Sequence, residues 1–218
     1  MITLTEENYI KVIYHLGKQG AINVSTNAIA KEMNTKASSV TDMVKKLSEK
    51  GYAAYKKYQG VNLTDEGNQI ATNIIRKHRL WEVFLVEKFN FSWDEVHEVA
   101  EQLEHIKSDK LIDQLDAFLE FPTHDPHGDP IPDKSGNIKK MDKILLSKVP
   151  IGEDCICVGV KDSSSDFLKY LDKNNIALGT KFQVSNREPF DNSIKIKTNT
   201  QELIISNIIA NNLFVKLC

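Results

Sequence analysis

The stretch Asn34-Thr35-Lys36-Ala37-Ser38-Ser39-Val40-Thr41-Asp42-Met43-Val44-Lys45-Lys46-Leu47 decides the fold of the first part of this chain. Its first three residues predict a tight turn, and Val40, Met43, Val44 and Leu47 recur at the spacing of one buried helical face. Gly51 is a typical stop for that helix. Residues 25–33, before the turn, carry a shorter helical pattern. Two helices joined by a tight turn predict a helix-turn-helix unit.

The segments around this unit predict a winged helix-turn-helix domain over residues 1–64. Upstream, Thr5 can cap a first helix, with Glu6 and Glu7 near its positive end. Downstream, Tyr52–Tyr58 and Val61–Leu63 have the composition of two strands that meet around Gln59-Gly60. A helix, a helix-turn-helix unit and a hairpin, in that order, are the parts of a winged helix.

Residues 65–142 predict a helical domain that ends in a proline-rich linker. Thr64-Asp65-Glu66 opens a long helix, and the capping box Ser92-Trp93-Asp94-Glu95 starts a second one. Ser108 can cap a third helix that continues through Phe118. Residues 121–132 contain four prolines and one glycine, which exclude regular structure and indicate an ordered loop.

Residues 143–218 have the composition of a small β domain. The segments with strand composition are Cys155–Val160, Lys181–Ser185, Ser193–Lys197 and Leu203–Ile205, and Asp166–Asn174 predicts one short helix. A small barrel of SH3-like type fits this order.

The three cysteines are an odd number, and Cys155 and Cys157 alternate with apolar residues. We therefore expect buried thiols in a reduced, cytoplasmic protein.

The recognition helix and the hairpin carry side chains suited to nucleic acid. In a helix-turn-helix unit the second helix enters the major groove with its N-terminal residues. Small hydroxyl side chains and lysines can bond bases or phosphates there. The candidate DNA-binding residues are Lys36, Ser38, Ser39, Thr41, Asp42, Lys45, Lys46, Lys56 and Lys57. A winged helix used for protein contacts is the alternative. We favour double-stranded DNA because hydroxyls and lysines converge on the surfaces that would meet a duplex.

Two histidine–carboxylate clusters lie in the middle segment, His78-x-x-x-Glu82 and His97-x-x-x-Glu101-x-x-Glu104-His105. At about 100° per residue, the members of the second cluster share one side of a helix, opposite an apolar stripe that includes Val96 and Ala100. Imidazole plus carboxylate is the ligand set of a divalent transition metal. A metal-controlled DNA switch is therefore one hypothesis.

A solvated helix face is the plain alternative for these clusters. Residues 94–105 hold five Asp or Glu and no Lys or Arg, whereas a solvated face usually mixes signs. Residues 68–142 carry nine basic and fifteen acidic residues, a net charge of −6, and the segments before and after are each +2. The acidic surplus lies where a bound cation would be favoured.

Composition and motifs also exclude several classes of protein. No apolar run of about 18 residues predicts a membrane span, and the N-terminus does not resemble a signal peptide. A di-iron bundle needs Glu-x-x-His on two helices, and the nearest match here, Asp94-x-x-His97, occurs once. The zinc-protease motif His-Glu-x-x-His is absent. We therefore do not expect an enzyme, although a metalloenzyme and a metal-independent winged-helix regulator remain alternatives.

Residues 1–142 resemble the diphtheria-toxin-repressor and manganese-transport-regulator family of metal-dependent repressors. The stretches that carry the resemblance are 7–14, 38–47, 63–67, Arg76-Lys77-His78-Arg79-Leu80-Trp81-Glu82 and Glu101-x-x-Glu104-His105. The loop His127-Gly128-Asp129-Pro130-Ile131-Pro132 looks like that family's link to a C-terminal SH3-like domain. The resemblance implies a mainly α, multi-domain homodimer: a winged helix-turn-helix, a helical metal-binding and dimerisation domain, and an SH3-like domain of FeoA type.

The resemblance also implies two metal sites and a repressor that controls metal uptake. One site resembles His78, Glu82 and His97, completed from the C-terminal domain, where Asp166 is the candidate. The other resembles Glu101, Glu104 and His105 with Asn8.

The identity of the expected ion follows from positions at which this chain differs from the branches of the family. The iron-responsive branch has cysteine where this chain has Glu101, and a harder carboxylate favours Mn²⁺, with Fe²⁺ as the alternative. The manganese branch has acidic residues where this chain has Asn8 and Lys11. A protonated lysine cannot bind a metal, which speaks against a coupled two-metal arrangement.

Overall fold

The computed structural model describes residues 2–18, 20–139 and 141–218 of the chain, and it divides into two compact units. One unit runs to Trp81 and includes Ala100–Leu115 and Ile131–Ile138. The other comprises Glu82–Val99, Asp116–Pro130 and Lys139–Cys218. Within the described ranges, no helix is both long and apolar enough to cross a membrane.

The first unit begins with the predicted winged helix. Its elements are α1 (Leu4–Leu16), α2 (Thr26–Glu32), α3 (Ala37–Glu49), β1 (Ala53–Lys56) and β2 (Gly60–Leu63). The two strands pair antiparallel, with Tyr55 opposite Val61. Val40, Val44 and Leu47 are fully buried in one core with residues of α1 and α2, which confirms the helical face read from their spacing.

The first helix begins two residues earlier than predicted, because Thr3 and not Thr5 is its cap. The Thr3 hydroxyl accepts a hydrogen bond from Glu6 N at 3.3 Å, and the Glu6 carboxylate accepts one from Thr3 N at 2.9 Å. A capping box needs Glu or Gln three residues after the cap. Thr3 has Glu6 at that position, whereas Thr5 would have Asn8.

Three helices follow the wing: α4 (Asp65–Phe89), α5 (Val96–Leu103) and α6 (Asp109–Phe118). Thr64 and Ser108 cap α4 and α6, because their hydroxyls accept from Gly67 N at 3.1 Å and from Leu111 N at 3.3 Å. Helix α5 ends at Leu103, so the prediction of a helix through residue 105 was wrong. Glu104 and His105 lie in the turn that follows α5.

The second unit contains the C-terminal antiparallel sheet. Its strands are β3 (Ile144–Leu145), β4 (Asp154–Val160), β5 (Lys181–Arg187), β6 (Ile194–Lys197), β7 (Glu202–Ile205) and β8 (Leu213–Leu217), in the order β3-β8-β4-β5-β6-β7. A 3-10 helix (Leu146–Lys148) and the helices α7 (Ser165–Lys173) and α8 (Asn207–Ala210) belong to the same unit. Cys155 and Cys157 are buried free thiols in the core of this sheet, as predicted.

Candidate metal centre and DNA interface

The predicted reading surface lies at the N-terminal end of α3. Ser38, Ser39 and Asp42 are exposed there. Thr41 is half-buried, and its hydroxyl donates to Ala37 O at 2.9 Å, so this hydroxyl is already engaged within the helix. The predicted lysines are all exposed, namely Lys36, Lys45, Lys46, Lys56 and Lys57.

One of these lysines, Lys46, forms an ion pair with Glu6 of the first helix. Glu6 Oε1 lies 3.0 Å from Lys46 Nζ and 2.7 Å from Lys50 Nζ. Burial raises the pKa of the Glu6 carboxyl, but hydrogen bonds from Lys50, Thr3 and Lys46 outweigh it and lower the pKa to about 2. Glu6 is therefore ionised and connects α1 to the recognition helix.

The wing carries an aromatic residue beyond the predicted lysines. Tyr58 is 93% exposed at the tip of the hairpin, and Lys57 Nζ lies 5.0 Å from the centre of its ring. The Asn23 amide donates to Gln59 O at 3.2 Å, and Val24 pairs with Val61. The tip is thus held to the segment before α2 while Lys57 and Tyr58 project from it.

The first candidate metal cluster centres on Glu82, whose carboxylate is buried on α4. His97 Nδ1 lies 3.3 Å from Glu82 Oε1, and His127 Nδ1 lies 3.9 Å from the same oxygen. Glu82, Asp125 and His127 each offer a ligand atom within 4.8 Å of one another, and all three are buried. His78 is buried one turn before Glu82 on α4.

The loop that supplies Asp125 and His127 is held rigidly. Asp125 Oδ1 accepts from His127 N and Asp129 N, both at 2.9 Å. His127 O accepts from Val160 N of β4 at 2.9 Å. Gly128 has φ +84, and a Cβ added there would lie 2.1 Å from Val158 O. Only glycine fits this approach of the loop to the sheet.

The two ring nitrogens of His127 face different partners. His127 Nε2 lies 3.2 Å from Trp93 O. A carbonyl oxygen only accepts, so Nε2 carries a proton, and Nδ1 faces the Glu82 carboxylate at 3.9 Å. An imidazole nitrogen and a carboxylate oxygen at this separation can bind one ion, since two ligands of an ion can lie up to about 4.2 Å apart. These donors fit a divalent metal.

Sequence reasoning missed Asp125 and His127, which it treated only as part of a link. The local signal was an acid and an imidazole two residues apart, directly before a glycine. Asp166 lies exposed in the first turn of α7 and outside the groups of metal-capable side chains in the described residues. Its role as a ligand stays a prediction.

The second cluster centres on Glu104, which is 0% exposed. Lys11 Nζ lies 2.6 Å from Glu104 Oε1 and 3.4 Å from Glu101 Oε1, and His78 Nδ1 lies 2.6 Å from Glu104 Oε2. Burial raises the Glu104 pKa, but the His78 hydrogen bond and the Lys11 charge hold it below its ordinary value. The sequence predicted that the acidic face lies opposite the buried stripe, and this was wrong for Glu104, which is buried. Lys11 and His78 compensate the burial of its charge.

Glu7 of α1, the residue before Asn8, contacts His105, and a ligand role for Asn8 stays a prediction. His105 Nδ1 lies 2.6 Å from Glu7 Oε2, and both side chains are largely buried. Asn8 itself is half-buried on α1. The structure therefore brings Glu7 and Lys11 of α1 to the turn after α5.

Three family models match the chain. One described as iron dependent repressor, N-terminal DNA binding domain, matches residues 1–61. A second, iron dependent repressor, metal binding and dimerisation domain, matches residues 64–133. The FeoA domain matches residues 144–217.

Individual relatives agree with these models. The uncharacterized HTH-type transcriptional regulator MJ0568 of Methanocaldococcus jannaschii is 38% identical over 114 residues, which are 52% of this chain and 91% of that protein. The iron-dependent repressor IdeR of Mycobacterium bovis is 32% identical over 128 residues, 59% of this chain and 55% of IdeR. A solved manganese-dependent transcriptional repressor in complex with manganese superposes with a TM-score of 0.87 at 32% identity, covering 98% of this chain and 100% of that one.

The chain belongs to the diphtheria-toxin-repressor and manganese-transport-regulator family of metal-dependent, DNA-binding transcriptional repressors. This membership and the fold class predicted from its motifs are confirmed. The family consists of repressors and not of enzymes, so the metalloenzyme alternative is excluded.

Proposed function

We propose that this repressor is activated by Mn²⁺ and controls the uptake and homeostasis of manganese, with the metal as its corepressor. In the active state a homodimer binds a double-stranded DNA operator in the cytoplasm. Fe²⁺ is the alternative ion, because it also accepts imidazole and carboxylate ligands and because a relative such as IdeR is named iron-dependent.

The observation that carries this proposal is the buried cluster of Glu82, Asp125 and His127. Oxygen and imidazole donors suit Mn²⁺ and Fe²⁺ better than metals that select thiolate. Two carboxylates buried side by side repel each other, and a divalent ion would supply the compensating charge.

The proposed ligands are these three residues together with His97, whose ring nitrogen already faces Glu82. His78, one helical turn before Glu82, and Asp166 are the further candidates. An ion held by these side chains would connect α4 to the loop that contains His127. It would favour one conformation of the protein to the extent that it binds that conformation more tightly.

The proposed dimer surface consists of exposed aromatic side chains at the ends of α4 and α6. Phe89, Phe118 and Phe121 are each more than half exposed, and large exposed apolar patches mark association sites. All three fall within residues 64–133, which match the model described as a metal binding and dimerisation domain.

A metal titration of DNA binding tests the proposal. Metal-free protein, prepared by chelation, is titrated with Mn²⁺, anaerobic Fe²⁺ or Zn²⁺ against a duplex selected from a random pool in the presence of Mn²⁺. We expect Mn²⁺ to raise the affinity at least about tenfold at constant salt, which corresponds to a coupling of about 1.4 kcal/mol. Equal affinity with and without each ion would refute metal control, and a response to Fe²⁺ alone would select the alternative.

The variant Glu82→Gln tests the cluster itself. It removes a charge while keeping the side-chain volume, so we expect it to abolish the Mn²⁺ response without preventing folding. Glu87→Gln is the matched control, because Glu87 is exposed on the same helix. An unchanged Mn²⁺ response in Glu82→Gln would remove this residue from the site.

A further inference from the structure

The cluster around Glu104 already contains a cation, the ammonium of Lys11. Its Nζ lies 2.6 Å from Glu104 Oε1 and 3.4 Å from Glu101 Oε1. The Lys11 side chain is 14% exposed and that of Glu104 is 0% exposed. A lysine ammonium is a compact charge with three donors, and here it bridges two carboxylates that belong to another part of the fold.

The other groups of this cluster are also engaged. The second oxygen of Glu104 is 2.6 Å from His78 Nδ1, and His105 Nδ1 is 2.6 Å from Glu7 Oε2. Lys77 Nζ, nearby, donates to Ile106 O at 3.4 Å.

A divalent ion on the same carboxylates would therefore have to displace the Lys11 ammonium or sit beside it. Like charges a few ångströms apart repel strongly in a partly buried site. The donors of this cluster thus do not fit a metal ion while Lys11 is in place, in contrast to the Glu82–Asp125–His127 cluster.

We propose that Lys11 is the built-in cation of this second cluster, where its ammonium takes the position that a metal ion would need on Glu101 and Glu104. It holds α1 to the turn after α5 whether or not metal is present. Given the function proposed above, the metal response then depends on the Glu82–Asp125–His127 cluster alone, and each protomer responds to one ion.

Metal stoichiometry of the full-length protein tests this assignment. Equilibrium dialysis against Mn²⁺ from 1 μM to 1 mM, with metal analysis of both chambers, counts the ions bound per protomer. We expect one ion in the wild type and a second one in Lys11→Met, which keeps an unbranched side chain only one atom shorter and removes its charge. The second ion should bind Lys11→Met at least tenfold more tightly than any second ion binds the wild type.

Two further variants distinguish the effect of the charge at position 11 on metal binding from the effect of losing any positive charge. Lys11→Arg keeps a cation and should bind one ion. Lys107→Met also removes one positive charge and one tie to the N-terminal segment, since Lys107 Nζ donates to Ile2 O at 3.0 Å. It leaves Glu101 and Glu104 paired with Lys11, so it should also bind one ion. Two ions in the wild type, or no gain in Lys11→Met, would overturn the proposal.

The double variant Glu82→Gln with Lys11→Met distinguishes this inference from the function on which it rests. If the Glu82 cluster binds Mn²⁺, the double variant loses that ion and keeps the one admitted by Lys11→Met. If the proposed function fails, the wild type binds no ion, yet Lys11→Met still gains one. Should Lys11→Met be unstable without metal, Mn²⁺ must raise its melting temperature more than that of the wild type, and an equal rise would contradict the assignment.

Discussion

Gly128 is the residue on which the geometry of the loop with Asp125 and His127, the proposed metal ligands, depends most directly. Its φ of +84 lies in the left-handed region, and an added Cβ would lie 2.1 Å from Val158 O and 2.5 Å from Gly159 Cα. Both obstacles are backbone atoms of β4, so they cannot rotate away as a flexible side chain would. The neighbouring His127 must therefore move if residue 128 acquires a side chain.

Gly128→Ala should consequently weaken metal binding as well as stability. We expect a loss of at least about 2 kcal/mol of unfolding free energy, from the left-handed conformation and the clash together, and at least about a tenfold loss of Mn²⁺ affinity. Calorimetric titration and denaturant unfolding measure the two effects. Gly152→Ala is the control, since Gly152 has φ +94 but nothing within 4 Å of its added Cβ. It should cost less stability and leave Mn²⁺ affinity unchanged, and an equal loss in both variants would contradict the steric argument.

The cysteines of the sheet differ from the one at the chain end in their access to solvent. Burial raises the pKa of Cys155 to about 12 and that of Cys157 to about 11, while Cys218 is exposed. Because the thiolate is the reactive form, we expect a disulfide reagent at pH 8 to titrate one thiol in the folded protein. In denaturant it should titrate three, and fast reaction of a second thiol in the folded state would show that the sheet core opens readily.

At the scale of elements, α1 connects the recognition helix to the turn after α5. Glu6 pairs with Lys46 of α3, Glu7 with His105, and Lys11 with Glu104. Glu7 and Lys11, four residues apart, share the helical face toward the turn after α5, while Glu6 contacts α3, so one helix carries ionic contacts to two different segments. A shift of α1 would change both contacts, so this helix is suited to relay a change at the turn to α3.

Glu6→Gln tests the contact between α1 and α3 through its pH dependence. The pKa of Glu6 is about 2 in the folded protein against an ordinary value of 4.5. The carboxylate therefore contributes its full stabilisation above about pH 4.5, and this is lost as the pH falls from 4.5 toward 2. We expect the substitution to cost about 1–3 kcal/mol at pH 7, as for hydrogen bonds to a charged group, and progressively less below pH 4.5.

Urea unfolding of both proteins at pH 7, 5 and 3.5 measures this difference. Glu49→Gln, at an exposed position of the same recognition helix, is the control and should change stability by less than about 0.5 kcal/mol. A cost for Glu6→Gln that stays constant over this pH range would show that packing, and not the charge of Glu6, holds the two helices together.

Elements with local signals could be predicted, and those that depend on distant partners could not. The face of α3 and the caps of α4 and α6 follow from residue spacing within a few positions. Strand β3 has two residues, and it exists because Ile144 and Leu145 pair with Val215 and Phe214. The same limit applies to the candidate metal cluster, because no local pattern places His127 beside Glu82, 45 positions earlier in the chain. The burial of Glu104 likewise depends on Lys11, far away in the sequence.

At the scale of the whole molecule, the homodimer proposed above would present two reading heads to one operator. Linking two binding modules raises the affinity for paired half-sites far above that of one module. Phe84 of α4 lies between two of the exposed aromatic side chains, since its ring centroid is 4.9 Å from that of Phe89 and 6.2 Å from that of Phe118. This patch is the surface through which we expect two protomers to associate.

Phe118→Glu should therefore separate the protomers and weaken DNA binding without unfolding either one. Phe118 is 62% exposed, so the substitution costs the isolated chain little, but in a dimer it would bury a carboxylate in an apolar interface. We expect light scattering to report a monomer and the affinity for a palindromic operator to fall at least about tenfold, while binding of Mn²⁺ to the Glu82 cluster persists. Phe190→Glu is the control, because Phe190 is 95% exposed in the second unit, and this variant should remain dimeric. A dimeric Phe118→Glu protein with full operator affinity would show that the protomers meet through another surface.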